Sequence, residues 1–134
     1  MSDLPDHAAD GIVTKTAAGT VTETVARLIY LIASRGMTLF TVVDHSGEAR
    51  RVGLELRETK VVIFGNPLTG TPIMQAAPLA ALDLPLKILV WDDHGRAHVS
   101  YARPELLAAR YHLSPATTAS LSGIVSLVDE LTNA

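Results

Sequence analysis

The chain has 134 residues, no cysteine and a formal net charge of −3, with a sequence pI near 5.9. That length suits one domain whose core needs neither a disulfide nor a metal to hold it. The lack of cysteine excludes thiol catalysis, Cys-ligated zinc and iron–sulfur clusters. Mixed charges without a Lys/Arg block argue against nucleic-acid binding. The opening MSDLPDHAADG is acidic and polar, without the basic start and apolar run of a secretion signal. No apolar stretch reaches the roughly 20 residues of a membrane span. The expectation is a soluble cytoplasmic protein, with a flexible lead-in over residues 1–10 and a single α+β domain over 11–134.

In chain order, Ile12 to Thr16 reads as a first strand, with Val13 and Lys15 on one side and Ile12, Thr14 and Thr16 on the other. Thr20-Val-Thr-Glu23 is a capping box, in which hydroxyl and carboxylate exchange hydrogen bonds with backbone N–H groups. Val21, Val25, Leu28, Ile29 and Ile32 then form one stripe at helical spacing, and Gly36 closes the helix. Thr38 to Asp44 (TLFTVVD) is a second, β-branched strand. Glu48 to Arg51 fits one helical turn, and Lys60 to Phe64 is the next strand. Gly65-Asn66-Pro67 stops it. A short helix is expected within Leu68–Ala77, with Pro72 in its first turn. Lys87 to Trp91 is a strand, Asp92-Asp93-His94-Gly95 has the composition of a hairpin turn, and Ala97 to Tyr101 returns antiparallel. Pro104 opens a short helix to His112. Ser114-Pro115 opens a last helix by the N-cap and N1-proline rule. Its stripe is Leu121, Ile124, Val125, Val128 and Leu131, interrupted by Gly123.

This order predicts an α+β fold, β-α-β4-α-like, with a largely antiparallel sheet and helices packed on one face. Two strands carry a further clue. Val61 to Phe64 and Ile88 to Trp91 are apolar at every position, whereas a sheet with one wet face alternates apolar with polar. Both faces are therefore expected to be covered. Helices cover one; a ligand, a loop or a second subunit covers the other. A symmetric homodimer is the simplest expectation.

Several pieces in order resemble one known family: LFTVVDH (39–45), IFGNP (63–67), G-T-P-x-M-Q from Gly70 to Gln75, L-D-L-P-L-K from Leu82 to Lys87, V-x-D around Trp91, V-S-Y (99–101) and P-x-x-L-A-x-R (104–110). From about Thr24 to Leu113 the chain resembles the domain of unknown function 302 family. The resemblance implies a β-α-β4-α sheet with helices on one side, in small, soluble bacterial or archaeal proteins. It implies no activity and carries over no catalytic residue. One departure stands out. After Asp44-His45 the family has an Ala-rich helical turn, where this chain has Ser46-Gly47-Glu48-Ala49. Gly47 is expected to weaken that turn.

The candidate chemistry is sparse. Gly65 to Gly70 has the glycine spacing of a phosphate loop, but no Lys follows the second Gly, and Pro67 and Pro72 delete backbone donors. Nucleotide hydrolysis is rejected. A polar or anionic ligand site built on Asn66, Thr69, Thr71 and Gln75 remains. His45 beside Asp44 is a candidate general base, although adjacent strand residues point to opposite faces. A capping Asp beside a surface or interface His is the plainer reading. Lys87, among apolar neighbours, is either a buried base or a packed stem whose ammonium reaches solvent, Asp83 or an anion. His94 and His98 lack a third ligand, so no metal site is expected. Trp91 and Tyr101 are candidates to pack on each other across the hairpin, the ordinary explanation, or to wall a ligand pocket. These residues describe a homodimeric, non-enzymatic module. It binds a small polar or anionic ligand, or a protein partner, through His45, Asn66, Thr69, Thr71 and Lys87. No cofactor, nucleic acid or membrane is expected as a partner. The alternatives are an enzyme using His45 or Lys87 in acid–base chemistry, and a purely structural dimer.

Overall fold

The structure, a computed structural model, describes residues 10–133; the expected lead-in lies outside the described residues except for Asp10. The elements are β1 (Ile12–Thr16), α1 (Val21–Ser34), β2 (Thr38–Asp44), α2 (His45–Arg51), β3 (Thr59–Gly65), α3 (Pro67–Ala76), a 3-10 turn (Pro78–Leu82), β4 (Leu86–Asp93), β5 (Arg96–Ala102), α4 (Pro104–Tyr111), α5 (Pro115–Ser120) and α6 (Gly123–Thr132). Five strands form one sheet in the order β1-β5-β4-β3-β2. Every neighbouring pair is antiparallel. This is the α+β fold that the sequence predicts.

The core lies between one sheet face and helices α1 and α6. Val62, Phe64, Ile88, Val90 and Val99 meet Leu28, Ile32, Leu127, Val128 and Leu131 there. Strand periodicity sends the alternate residues to the opposite face. There the ladder aligns Val43, Val61, Leu89, Ser100 and Thr14 in one row. Val43, Val61 and Leu89 are only half-buried. A second, smaller cluster of Ile73, Ala80, Leu107 and Leu121 packs with Leu84, Leu86 and Ala102. It gathers α3, α4 and α5 at one end of the sheet.

Local chemistry explains most boundaries. Thr20 Oγ1 accepts from the Glu23 N–H at 3.1 Å and Glu23 Oε1 accepts from the Thr20 N–H at 2.9 Å, the reciprocal capping box. His94 and Gly95 take φ of 54° and 84°, as a two-residue primed turn needs.

Four expectations are corrected. Pro67, not Pro72, occupies the first turn of α3, because Asn66 Oδ1 caps the helix at the Leu68 N–H (3.0 Å) and Pro72 lies inside it. The last helix is two. In the first segment, Pro115–Ser120, no residue is buried. The hydroxyls of Thr118 and Ser122 instead bond to the carbonyls of Ser114 and Ala119 at 2.9 and 2.7 Å, competing with the helical backbone. The apolar stripe begins at Leu121, and α6 turns onto the sheet from there. Gly47 supports α2 rather than weakening it. A Cβ there would sit 2.6 Å from Asp44 Oδ2, while the Gly47 N–H donates to Asp44 Oδ1 at 2.9 Å. Finally, Trp91 and Tyr101 do not meet. The register pairs Trp91 with His98, their ring centroids 4.9 Å apart, and Tyr101 lies in the core on the other face.

Candidate functional site

A cleft of about 670 Å³ opens where β3 runs into α3. That volume falls within the range of small-molecule sites. Gly65 lines it, and a Cβ there would touch Pro85 at 3.5 Å and Phe40 at 3.6 Å. Met37, Phe40, Met74, Leu84, Leu121 and Ile124 supply apolar walls. Asn66, Thr69 and Thr71 lie together on the α3 side. Asn66 Oδ1 is engaged by the Leu68 N–H, which leaves its amide N–H₂ as a donor.

Among the described residues, Arg35 is the one charged side chain on this lining. Its guanidinium donates to Ser126 Oγ at 2.8 Å and to Glu130 Oε1 at 2.7 Å, so its charge is matched within the protein. The cleft therefore presents apolar surface and neutral polar groups, with no acid–base pair.

Two helical glycines line the space. Neither Gly70 nor Gly123 has a left-handed φ, so conformation does not require glycine at either position. A Cβ at Gly123 would meet nothing within 4 Å, and one at Gly70 only Met74 Cε at 3.9 Å. A glycine in a helix interior, as Gly70 is in α3, costs roughly 1 kcal/mol relative to Ala, while Gly123 is the first residue of α6. Both helices thus leave out a side chain on the cleft side. In the sequence, Gly123 showed itself as an interruption of an apolar stripe. Met37, Phe40 and Leu84 gave no such signal, because only the tertiary arrangement brings them here.

The other predicted site residues lie elsewhere. Asp44 pairs with Lys60 at one end of the β2–β3 ladder, and Thr38 pairs with Gly65 at the other. His45 is therefore roughly 20 Å from Asn66 at about 3.3 Å per residue. It is exposed. Beside it, Asp44 Oδ1 accepts from Ser46 Oγ at 2.7 Å, and buried Ser46 Oγ accepts from the Thr59 N–H at 3.1 Å. The Ser46 hydroxyl leads, with the Gly47 N–H, in holding the Asp44 carboxyl below its ordinary value. Asp44, His45 and Ser46 form a helix cap and a staple to β3. Lys87 pairs with Ile63, on the face away from α1 and α6. It is exposed, and its Nζ donates to Pro85 O at 3.0 Å. That position replaces the buried base considered from the sequence.

One charged group escaped the sequence reading. Asp83 Oδ2 accepts from Tyr111 Oη and from Arg110 Nη1, the latter at 2.7 Å. The Tyr111 hydroxyl is the largest influence holding the Asp83 carboxyl below its ordinary value, with Arg110 and Lys87 adding to it. The same contact pushes Tyr111 up. The partners lie 27 and 28 residues apart, beyond any local motif. Among the described residues, no group of three or more His, Asp or Glu side chains could hold a metal ion.

Comparison with known proteins places this fold. The family model described as Domain of unknown function DUF302 matches residues 13–131. The chain belongs to this family. A DUF302 protein from Bacillus stearothermophilus, an uncharacterized conserved protein of known crystal structure, superposes with a TM-score of 0.79. It is 17% identical and the match covers 93% of this chain and 98% of that one, which establishes the shared DUF302 fold. Curated relatives include "Fluoride-specific ion channel FluC 1" of Brucella suis and of Brucella abortus, and "Fluoride-specific ion channel FluC 2" of Brucella melitensis. Each is 37% identical over 117 residues, 87% of this chain. The match spans 46% of the B. suis protein and 43% of the other two, less than half the length of these relatives.

Proposed function

We propose that this DUF302 chain is a non-catalytic binding module whose cleft takes a small, uncharged, largely apolar molecule with a polar end. One observation carries the reading. The roughly 670 Å³ cleft is lined by Gly70 and Gly123, where neither backbone conformation nor crowding calls for glycine. The apolar walls would hold the body of the ligand, and Asn66, Thr69 and Thr71 would orient its polar end. The internal pairing of Arg35 favours an uncharged ligand over the anion first considered. Among the described residues no carboxylate, histidine or lysine lines the cleft, and this favours binding over catalysis by His45 or Lys87. The test uses N-phenyl-1-naphthylamine, an uncharged apolar fluorophore. The full chain should bind one probe saturably, and Gly70→Phe should weaken binding at least tenfold with its folded spectrum intact. Equal binding by both proteins contradicts the reading.

The relatives favour a second reading, on the partner side. Their printed names are those of ion channels, and the match spans less than half of each. Among the described residues of this chain, no helix is long and apolar enough to cross a membrane. We infer that the pore of those relatives lies outside the matched stretch, and that this domain serves channels as an attached or docking accessory. The expected homodimer would pair through the outer edge of β2. There Thr38 to Val43 carries no charge or proline to guard the edge, and Leu39 and Phe40 stand exposed. A mass of twice 14.3 kDa by light scattering, halved by Thr41→Lys, tests the pairing. The cysteine-free sequence keeps the cytoplasm as the proposed compartment.

A further inference from the structure

A second opening adjoins the cleft across Leu86 and Ile124, where α4 borders the sheet face away from α1 and α6. It measures about 330 Å³, room for about ten non-hydrogen atoms at the ~30 Å³ that a water molecule takes in the liquid. Its floor is the apolar set Ile12, Val61 and Leu89, and Leu106 walls one side. These side chains are half-buried. Val62 and Ile88, one residue along, are at 0%.

One end of this groove is cationic. Lys87, Arg110 and Asp83 all line it. Asp83 is already bonded to Arg110 and Tyr111. The three side chains sum to one positive charge, and the Arg110–Asp83 ion pair leaves Lys87 as the surplus cation. Its ammonium has three donors, of which Pro85 O takes one. Apolar floor, length for a short chain and one surplus cation at the end together describe an amphiphile with an anionic head.

We propose that the groove between the bare sheet face and α4 binds a free, medium-chain carboxylate, its chain over Ile12, Val61 and Leu89 and its carboxylate on Lys87. The inference is independent of the ligand proposed for the cleft, and the two sites share no polar group.

Trp91 provides the reporter. It is the chain's single tryptophan, and its Nε1–H donates to the groove-lining Ser100 Oγ at 3.0 Å. The full chain is titrated with decanoate and with decanol, both below their aggregation limits. Decanoate should shift Trp91 emission saturably and bind at least tenfold more tightly than decanol. Lys87→Gln should remove that preference. In methyl spectra the Val61 and Leu89 signals should move, while those of Met37 and Met74 in the cleft stay in place. Equal binding of the two compounds, an unchanged preference in Lys87→Gln, or shifts confined to the cleft methionines would each overturn the proposal. So would a response that needs vesicles. Trp91 emission that depends on protein concentration without ligand would overturn it too, since a second copy would then cover this face.

Discussion

Ile88 and Leu89 are neighbours on one strand and nearly identical in chemistry, yet they belong to different parts of the molecule. Ile88 is wholly buried under α1 and α6, while Leu89 lies half-buried on a face that those helices do not reach. The alternation that builds the core therefore also lays out an unclaimed apolar surface. In this fold apolar character alone does not tell core from site. What separates them is which helix arrives. Helix α6 starts late, at Gly123, because the hydroxyl-rich segment before it turns away. That delay opens the cleft at one end of the sheet.

The sharpest way to break this comparison is to truncate both neighbours. Ile88→Ala should cost about 2–5 kcal/mol in denaturant unfolding, as buried large-to-small changes do. Leu89→Ala should cost clearly less, about 1–2 kcal/mol, because part of its surface stays in water. A large loss at both would mean that something covers the bare face in solution. Next in size is Ser46→Ala, at about 1–3 kcal/mol. It would leave the Thr59 N–H without its buried acceptor and deprive Asp44 of a donor. The thermal midpoint should fall while binding in the cleft, at the far end of the ladder, persists. Smaller still, and opposite in sign, Gly70→Ala should stabilise by about 0.5–1 kcal/mol. Its Cβ meets only Met74.

The pH dependence has two arms. Asp44 and Asp83 titrate below the ordinary 3.8 in the folded chain. Their stabilisation is complete above that value and fades as pH falls through the lower folded values. Lys15 is raised above 10.5, chiefly by its hydrogen bond to Asp129. Its contribution is whole below 10.5 and is lost as pH rises through the folded value. Melting midpoints across acid and alkaline ranges should show both arms. Asp83→Asn should flatten part of the acid one.

Much of the fold was legible because its signals are local. The Thr20–Glu23 box, the TLFTVVD strand and the hairpin at His94-Gly95 each state their structure within a few residues. The site was legible only in part. Asn66, Thr69 and Thr71 share one helix start, and the fold keeps them together. His45 and Lys87 shared with them only an interesting residue type, and the register carries them to other places. Gly47 misled because its value lies in the room it leaves for the Asp44 carboxylate, which no propensity scale records. The Asp83–Arg110–Tyr111 group and the far wall of the cleft depend on contacts between distant segments. Trp91 and Tyr101 differ by an even number of positions, but the turn sets the register and puts them on opposite faces.

The central claim is that the cleft lined by Gly70 and Gly123 takes an apolar ligand. Methyl-labelled methionine spectra of the full chain with N-phenyl-1-naphthylamine test it most directly. The account predicts saturable shifts of Met37 and Met74, with Val61 and Leu89 unmoved and the methionine response absent in Gly70→Phe. Unmoved methionines at saturating probe, or the same shifts in Gly70→Phe, would contradict it.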